Sequence, residues 1–228
     1  MVERRIRIAE VRGSTPLEST KDFKMTFLNQ QTIEEFYDKV RFLWGAEPNR
    51  HVKHVPELIK SGRVLDVGVG EGRNALFLAE KGFDVTGIDI SQTAIKKFLR
   101  LAEQRNLKVT GVAIDALEFE PDVGYDVVIC TAVLHYFSAE QAKRLMRKMK
   151  QYTNEGGINL LTVFTKDDQG FKQYPEFHFF EDEEELREMY GDWQILKCER
   201  YTKEEEHGGS EPHVHDIAVL LARNKIQD

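Results

Sequence analysis

The sequence predicts an α/β fold in which a mostly parallel sheet is covered by helices on both faces. Short runs of Val, Ile and Leu, such as VVICTAV, alternate between residues 61 and 164 with amphipathic segments of helical periodicity. This alternation is typical of βαβ units, whose parallel strands are buried on both sides. Two consecutive strand-like segments, WQILKCERY and HDIAVLLAR, predict an antiparallel hairpin at the end of the chain. Together the strand-like runs indicate a seven-stranded sheet closed by this hairpin.

The composition is that of an ordinary globular protein. The 228 residues are 41% hydrophobic and 31% charged, with a formal net charge of −7. A domain of this size can fold without disulfides or structural metals, and Cys130 and Cys198 lie far apart in apolar stretches, as expected of reduced, buried thiols. An acidic chain is a poor partner for nucleic acid. Because no signal peptide or membrane span is recognisable, we expect a cytoplasmic protein that has no membrane partner.

The chain divides into an N-terminal arm and one domain. Residues 1–30 are polar and mixed, and we interpret them as an arm. Residues 31–228 form the single domain, which begins with two helical segments over 31–60. The regular alternation of strands and helices follows over 61–164. The remaining part, 165–228, contains an aromatic connection, a helix in EDEEELREMY and the hairpin.

The segment VLDVGVGEGRN carries the strongest functional signal. A strand ends at Asp66, and glycines follow at Gly68, Gly70 and Gly72 before a helix begins near Arg73. Glycines allow the backbone to turn sharply and to approach a ligand that faces the helix N-terminus. A second strand ends at Asp89, where a carboxylate can accept hydrogen bonds from both ribose hydroxyls. The pattern predicts a site for a ligand that contains adenosine.

Two adenosine ligands fit this glycine loop. The run from Gly70 to Ala75 satisfies G-x-G-x-x-[G/A], which with an acidic residue about twenty positions later is a dinucleotide signature. Asp66 favours S-adenosylmethionine instead, because its carboxylate can bind a cationic amino group but would repel a pyrophosphate. The sixty residues before the loop are enough for helices that close over a cofactor, and no Tyr-x-x-x-Lys pair is present for hydride chemistry. An NAD(P)-dependent oxidoreductase is the less favoured alternative.

The chain resembles the class I S-adenosylmethionine-dependent methyltransferases over roughly residues 31–224. Four elements carry the resemblance: the D-x-G-x-G-x-G loop, Asp89, the pair Asp115–Ala116 in VAIDALEF, and YDVVICTAVLHYF. The resemblance implies a Rossmann-like fold in which 31–60 form a helical lid, 61–164 the cofactor-binding core and 165–228 the acceptor side. It implies S-adenosyl-L-methionine as the cofactor. We expect the following residues to bind it: Tyr37, Asp66, Gly68, Gly70, Gly72, Asn74, Asp89, Ile90, Asp115, Ala116 and Thr131.

Within that superfamily the chain is similar to the tellurite-resistance methyltransferases. The glycine loop continues as Gly-Arg-Asn, and PEFHFFEDEEELREMYGDW matches an aromatic and acidic stretch of that family. The resemblance implies methyl transfer to a small, soft nucleophile, either an oxyanion such as tellurite or selenite, or a thiol. It also implies that a His–Arg pair before the last strand holds the acceptor. His207 stands at the matching place, but Gly208 replaces the arginine and the loop is shorter.

Several further side chains are candidates for the acceptor side. We expect the acceptor pocket to contain Tyr136, Tyr174, His178, Phe179, His213 and His215. His135 and His207 are the candidate catalytic bases for an acceptor that must lose a proton. The spacing of His207, His213 and His215 matches no metal-ligand signature, and we predict no metal site. Transfer to another acceptor, such as a metabolite oxygen or nitrogen or a protein side chain, and a non-enzymatic cofactor-binding role are the remaining alternatives.

Overall fold

The computed structural model describes residues 34, 37, 38, 45–172, 177–205 and 213–226. The predicted arm and most of the first predicted helix lie outside these residues, although Glu34, Tyr37 and Asp38 are helical. Within the described part, no helix is both long and apolar enough to cross a lipid bilayer.

One seven-stranded sheet organises the chain, as the sequence predicts. The strands are β1 (Arg63–Val67), β2 (Asp84–Asp89), β3 (Val109–Ala113), β4 (Tyr125–Thr131), β5 (Thr153–Phe164), β6 (Gln194–Glu205) and β7 (His213–Arg223). Their order across the sheet is β3-β2-β1-β4-β5-β7-β6. The first five strands pair in parallel, and β7 pairs antiparallel with both β5 and β6. The predicted fold class and its closing hairpin are therefore confirmed.

The strand order places a binding crevice at one edge of the sheet. The chain runs outward from β1 through β2 to β3, and then returns to place β4 on the other side of β1. The carboxyl ends of β1 and β4 thus border a point where the chain direction across the sheet reverses. Open α/β sheets bind ligands at such a point, because the loops after the two strands diverge there.

Helices cover both faces of the sheet. They are α1 (Val55–Leu58), α2 (Arg73–Glu80), α3 (Gln92–Gln104), α4 (Ala139–Tyr152) and α5 (Glu183–Met189), with 3₁₀ turns at Val52–His54, Leu134–Tyr136 and Gln169–Lys172. Alternate residues of the strands face opposite layers. Leu65 packs in the layer with α4 and α5, whereas Val64 packs in the layer with α1, α2 and α3. The parallel strands are buried on both sides, which accounts for their uninterrupted apolar runs.

The helix that follows β4 shows how the sequence sets element boundaries. Ser138 precedes α4, and its hydroxyl accepts a hydrogen bond from the Gln141 backbone N–H, while the Gln141 side chain accepts from the Ser138 N–H. This reciprocal capping satisfies two N–H groups that the helix itself leaves without partners. The cap therefore fixes the length of the connection between β4 and α4, in which His135 and Tyr136 lie.

Both cysteines are free thiols. Cys130 is buried in β4, where burial and the neighbouring Asp66 raise the pKa of its thiol. Cys198 is only half-buried, because it lies on β6 at the edge of the sheet, and its thiol donates to the backbone carbonyl of Glu183. The prediction of reduced thiols agrees with this arrangement, but full burial holds for Cys130 alone of the two.

Candidate functional site

The glycine loop after β1 lies against the end of β2. The backbone N–H groups of Gly68 and Val69 both donate to the carbonyl of Ile88, at 2.8 and 2.9 Å. Gly68 and Gly70 have positive φ angles of +70° and +55°. A Cβ atom on Gly68 would lie 2.3 Å from Cγ2 of Val133, so glycine is required there by both conformation and space. The loop is thus clamped between the ends of β2 and β4.

Asp89 connects the loop to the start of α3. Its Oδ2 accepts a hydrogen bond from the Gly70 N–H and its Oδ1 accepts one from the Ser91 N–H, both at 2.9 Å. Burial raises the pKa of Asp89 above its usual value despite these two bonds. The structure therefore brings Asp89 to the glycine loop, as the sequence predicts, and its carboxylate orients the loop backbone.

Asp66 is buried at the end of β1 and has an unsatisfied oxygen. The side chain is 1% exposed, and its Oδ2 makes no hydrogen bond to any described residue. Burial raises the pKa of Asp66 to about 7; the charge of Asp89 raises it further, whereas that of Arg73 lowers it. A buried polar atom without a partner is costly, so a donor from a bound ligand would stabilise it. The Asp66 carboxylate therefore suits a cationic or hydrogen-bond-donating ligand group.

Asn74 joins the first turn of α2 to the end of β4. Its amide Nδ2 donates to Thr131 Oγ1 at 3.0 Å, and its Oδ1 accepts from the Asn49 N–H at 2.8 Å. Two predicted cofactor residues, Asn74 and Thr131, are thus bonded to each other across the crevice. Because the amide is already engaged on both sides, its evident role is to hold α2 against β4.

The pair Asp115–Ala116 follows β3 and lies beside the end of β2. The Ile114 N–H donates to the backbone carbonyl of Asp89 at 2.8 Å, which aligns the two strand ends. Oδ1 of Asp115 accepts a hydrogen bond from the Leu117 N–H at 2.8 Å, and Ala116 packs against the core. Asp66, Asp89 and Asp115 therefore follow neighbouring parallel strands at the same edge of the sheet. Ile90, the next residue after Asp89, is half-buried at that edge.

Glu34 is a site residue that the sequence reasoning missed. Its carboxylate accepts hydrogen bonds from the Ser91 hydroxyl and from the Gln92 and Thr93 N–H groups, at 2.8–2.9 Å. Burial alone would raise the pKa of Glu34, but these hydrogen bonds lower it below its usual value. Glu34 thereby caps α3, and these bonds hold the helical residue Glu34 against the segment after Asp89; Tyr37, three residues later, is buried. The available signal in the sequence was the spacing of three residues between Glu34 and Tyr37, which places both on the same face of a helix.

A second group of side chains, which we call the aromatic cluster, lies beyond the ends of β4 and β5. It consists of His135, Tyr136, Phe164, Phe177, Phe179 and His215. The ring centroids of His135 and Phe164 are 4.7 Å apart, and those of Tyr136 and Phe177 are 5.2 Å apart. The cluster therefore brings together Tyr136, Phe179 and His215 of the predicted acceptor pocket.

His135 has properties that do not favour the catalytic role predicted for it. It is 4% exposed and its Nδ1 has no hydrogen-bond partner among the described residues. Burial lowers the pKa of His135 to about 3, and the neighbouring His215 lowers it further. A base this weak would seldom take a proton from an acceptor at neutral pH. The periodicity of the sequence could not reveal this, because it depends on how residues 177–180 fold over the ring.

His178 is half-buried beside the aromatic cluster. Its backbone N–H donates to the carbonyl of His135 at 3.0 Å, and its ring lies 4.6 Å from that of Phe180. Burial lowers the pKa of the His178 imidazole, so the ring is neutral at physiological pH. Phe179, the next residue, is buried and its ring lies 5.6 Å from that of Phe171.

Three predicted residues fall where the structure gives no account of the side chain. Tyr174 and His207 lie outside the described residues, and for His213 only the backbone, at the start of β7, is described. Over the described ranges, no group of three His, Cys, Asp or Glu side chains is arranged to hold a metal ion. The role predicted for His207 remains a prediction.

The site allows a direct test of the space around the glycine loop. Gly72 and Gly82 have nearly equal φ angles, +88° and +90°, but a Cβ on Gly72 would lie 2.2 Å from the fully buried Phe98 ring, whereas a Cβ on Gly82 meets nothing within 4 Å. We expect Gly82→Ala to lower the free energy of unfolding by about 1–2 kcal/mol through backbone strain. Gly72→Ala should lower it by about 1–3 kcal/mol more. Chemical denaturation of both variants measures the difference, and equal losses would contradict the steric argument.

Known proteins are similar to this chain in sequence and in fold. The model of the family described as "Tellurite resistance protein TehB" matches residues 23–210. A probable S-adenosyl-L-methionine-dependent methyltransferase TehB from Haemophilus influenzae is 31% identical over 173 residues, covering 74% of this chain and 59% of the relative. A ubiquinone biosynthesis O-methyltransferase from Rickettsia bellii is 27% identical over 164 residues, covering 64% of this chain and 67% of that protein.

The crystal structure of TehB from Haemophilus influenzae superposes with a TM-score of 0.68 at 26% identity, covering 86% of this chain and 67% of that one. This chain spans about three fifths of the length of the Haemophilus sequence relative, 59%. The family model covers most of the chain, including the glycine loop and Asp89. It also covers every residue of the aromatic cluster except His215. By these matches the chain belongs to the TehB tellurite-resistance family.

Proposed function

We propose that this chain is an S-adenosyl-L-methionine-dependent methyltransferase that acts on a small, soft nucleophile. One observation carries the assignment of the cofactor: the buried Asp66 oxygen, next to the glycine loop at the reversal point of the sheet, has no hydrogen-bond partner among the described residues. The methionine part of this cofactor ends in an ammonium group, which can donate to that oxygen and compensate its charge. Support also comes from the Haemophilus relative, which is named a probable methyltransferase with this cofactor.

The other carboxylates fit the remaining polar groups of the cofactor. Asp89 would accept hydrogen bonds from the two ribose hydroxyls, since it already lies at the turn between Gly70 and Ser91. Asp115 would accept from the adenine amino group, because it follows the neighbouring strand at the same edge. When bound, the cofactor supplies a methyl group on a cationic sulfur. The chain's task is to align the acceptor with that methyl group and to exclude water.

The acceptor side of the site is aromatic and only weakly polar. The cluster around His135 and Phe164 presents rings and imidazoles, and such surfaces suit polarisable groups and favour a nearby sulfonium cation. Tellurite, selenite and thiols are all small, soft nucleophiles that a pocket of this kind would accept. The family description, tellurite resistance, favours the oxyanions within this class.

A different acceptor is the second candidate. The Rickettsia relative is named a ubiquinone biosynthesis O-methyltransferase, and that name favours oxygen as the alternative acceptor atom. A dinucleotide is the less favoured ligand, because the buried Asp66 carboxylate lies at the start of the glycine loop and would repel a pyrophosphate.

Calorimetric titration of the purified chain tests the cofactor assignment first. We expect binding of S-adenosylmethionine and S-adenosylhomocysteine in the micromolar range, and no heat from NAD or NADP. An acceptor screen would then measure S-adenosylhomocysteine release with tellurite, selenite, alkyl thiols and phenols in parallel. Binding of a dinucleotide alone would overturn the assignment, while turnover with phenols alone would favour the second candidate.

A further inference from the structure

His215 and Asp168 form a hydrogen-bonded pair that the sequence analysis did not recognise. Asp168 lies in the turn after β5, and its Oδ2 is 2.8 Å from Nδ1 of His215 near the start of β7. The Asp168 side chain is 1% exposed. Its Oδ1 also accepts from the Gly170 N–H at 2.7 Å, and its Oδ2 from the Asp216 N–H at 2.9 Å. Three donors therefore converge on one buried carboxylate.

These bonds keep the carboxylate charged. Burial alone would raise the pKa of Asp168, but the bonds from His215, Gly170 and Asp216 hold the pKa below its usual value. An ionised carboxylate only accepts hydrogen bonds, so Nδ1 of His215 carries the proton in this pair. In the neutral imidazole the basic lone pair is then on Nε2. The pair thus fixes the tautomer of His215.

The ring of His215 is also held in orientation. It stacks on the ring of Phe164, with 4.4 Å between centroids and an interplanar angle of 14°. Phe164 in turn lies 4.7 Å from the His135 ring, so His215 belongs to the aromatic cluster. A hydrogen bond at one nitrogen and a stacked face leave the imidazole little freedom to rotate. A preoriented imidazole of this kind is typical of proton-transfer sites.

Strand register places His215 at the edge of the sheet that carries the glycine loop. Thr131 at the end of β4 pairs with Thr162 of β5, and Phe164, two residues further on, pairs with Ile217 of β7. His215 precedes Ile217 by two residues on the antiparallel strand, so it extends past the carboxyl end of β5. Neighbouring strands are about 4.8 Å apart. His215 therefore lies two strands across from Thr131, to which Asn74 binds, and four residues, about 13 Å, further along the strand direction.

The charged groups around His215 come from several elements. Asp168 approaches from the turn after β5, and His135, which its low pKa keeps neutral, from the segment after β4. On β7 itself the Asp216 carboxylate is occupied, because Arg200 donates to both its oxygens and Thr165 donates to Oδ1. Lys203 is the cross-strand neighbour of His215 on β6. Among these groups, Asp168 carries the charge that directly contacts the imidazole.

We propose that His215 is the general base of the reaction, positioned by Asp168, and that the acceptor is a thiol that is protonated at neutral pH. This proposal rests on the proposed function and narrows its acceptor class to thiols, in place of the oxyanions that the family description favours. In the step, Nε2 of His215 takes the proton from the thiol as the thiol sulfur attacks the methyl group. The bond from the methyl carbon to the sulfonium sulfur breaks, and its electron pair stays on the departing thioether. The products are the methylated thiol, S-adenosylhomocysteine and a protonated imidazole, which releases its proton to solvent.

The test compares two thiols that differ in their need for a base. An alkyl thiol with a pKa near ~8.5 is mostly protonated at neutral pH, whereas a more acidic aryl thiol is already largely thiolate there. In His215→Asn the amide can still donate to Asp168, but the basic nitrogen is gone. We expect kcat/KM of this variant to fall by about 100-fold for the alkyl thiol. For the aryl thiol we expect little change, because no proton has to be removed.

Two further variants serve as controls. His54→Asn exchanges an exposed histidine outside the aromatic cluster and should leave both rates unchanged. His215→Gln provides a second substitution should His215→Asn melt below the assay temperature. Asp168→Asn should lower the alkyl thiol rate and change the pH dependence of kcat/KM, because an amide can stabilise the wrong tautomer of His215. A merely structural Asp168 would change the melting temperature while leaving that pH profile as in the wild type.

The outcomes separate this proposal from the proposed function. Equal losses with both thiols, or unchanged rates in the His215 variants, would overturn the role of His215 as the base. Methylation of selenite or phenols without thiols would overturn the acceptor class while the methyltransferase assignment stands. Absence of cofactor binding by calorimetry, together with no S-adenosylhomocysteine from any acceptor, would refute the proposed function itself.

Discussion

Replacing Asp89 by alanine is expected to abolish measurable binding of S-adenosylmethionine while leaving the chain folded. The carboxylate holds the Gly70 and Ser91 N–H groups at 2.9 Å and is the proposed acceptor for the ribose hydroxyls. Each hydrogen bond to a charged group contributes about 1.5–3 kcal/mol. Loss of two such bonds corresponds to a decrease in affinity of about 100-fold or more. Calorimetric titration, begun at micromolar cofactor, measures this loss.

Asp84→Ala is the matched control for Asp89→Ala. Both residues lie on β2, but Asp84 is exposed at the opposite end of the strand, away from the glycine loop. We expect its variant to bind the cofactor as the wild type does. Retained binding in Asp89→Ala, with an unchanged affinity in Asp84→Ala, would mean that the cofactor lies elsewhere. Thermal unfolding of both variants distinguishes lost binding from lost structure.

The parts of the fold that the sequence predicts are those that depend on periodicity. β1 and β4 are buried on both faces, so Leu65 and Val128 pack in one layer while Val64 and Val127 pack in the other, and these consecutive positions are all apolar. That pattern is visible without any structure. The same holds for Gly68, Gly70 and Gly72, since a strand that ends in three spaced glycines before a helix has few other structural explanations.

The interactions that the sequence could not predict join residues far apart in the chain. Glu34 caps α3 from almost sixty residues away, and Asp168 binds His215 across forty-seven positions. No local pattern marks such a pair, because each partner is an ordinary polar residue of a loop, a helix or a strand. The weak basicity of His135, which does not favour its predicted catalytic role, has the same origin. Its low pKa results from burial beneath residues 177–180, which belong to a different part of the chain.

As the pH rises from 5.5 to 7.5, the free energy of unfolding of the cofactor-free protein should decrease because of Asp66. The pKa of this carboxyl is raised from 3.8 in a model compound to about 7 in the folded chain, chiefly by burial. Between these two values the folded chain binds more protons than the unfolded chain, so stability falls as the pH rises. The contribution is fully present below pH 3.8 and is lost as the pH rises through 7. Over the interval from 5.5 to 7.5 it amounts to about 2 kcal/mol.

Asp66→Asn removes this dependence, because an amide does not titrate. The free energy of unfolding of the wild type minus that of the variant should therefore fall by about 2 kcal/mol from pH 5.5 to 7.5. Asp84→Asn, which changes an exposed carboxylate, should keep the slope of the wild type. Urea denaturation at the two pH values measures all three chains. An Asp66→Asn chain with the wild-type slope would contradict the assigned pKa.

Cofactor binding should have the opposite pH dependence if Asp66 receives the ammonium group. Binding then requires the ionised carboxylate, so the proton held by the free protein at low pH must be released. We expect the affinity of the wild type for S-adenosylhomocysteine to rise about 20-fold from pH 5.5 to 7.5 through Asp66. Asp66→Asn should bind more weakly at pH 7.5 and show a smaller rise, to which Asp89 still contributes. Stability and affinity would thus change in opposite directions with pH at one residue, and a merely structural Asp66 would not produce that pairing.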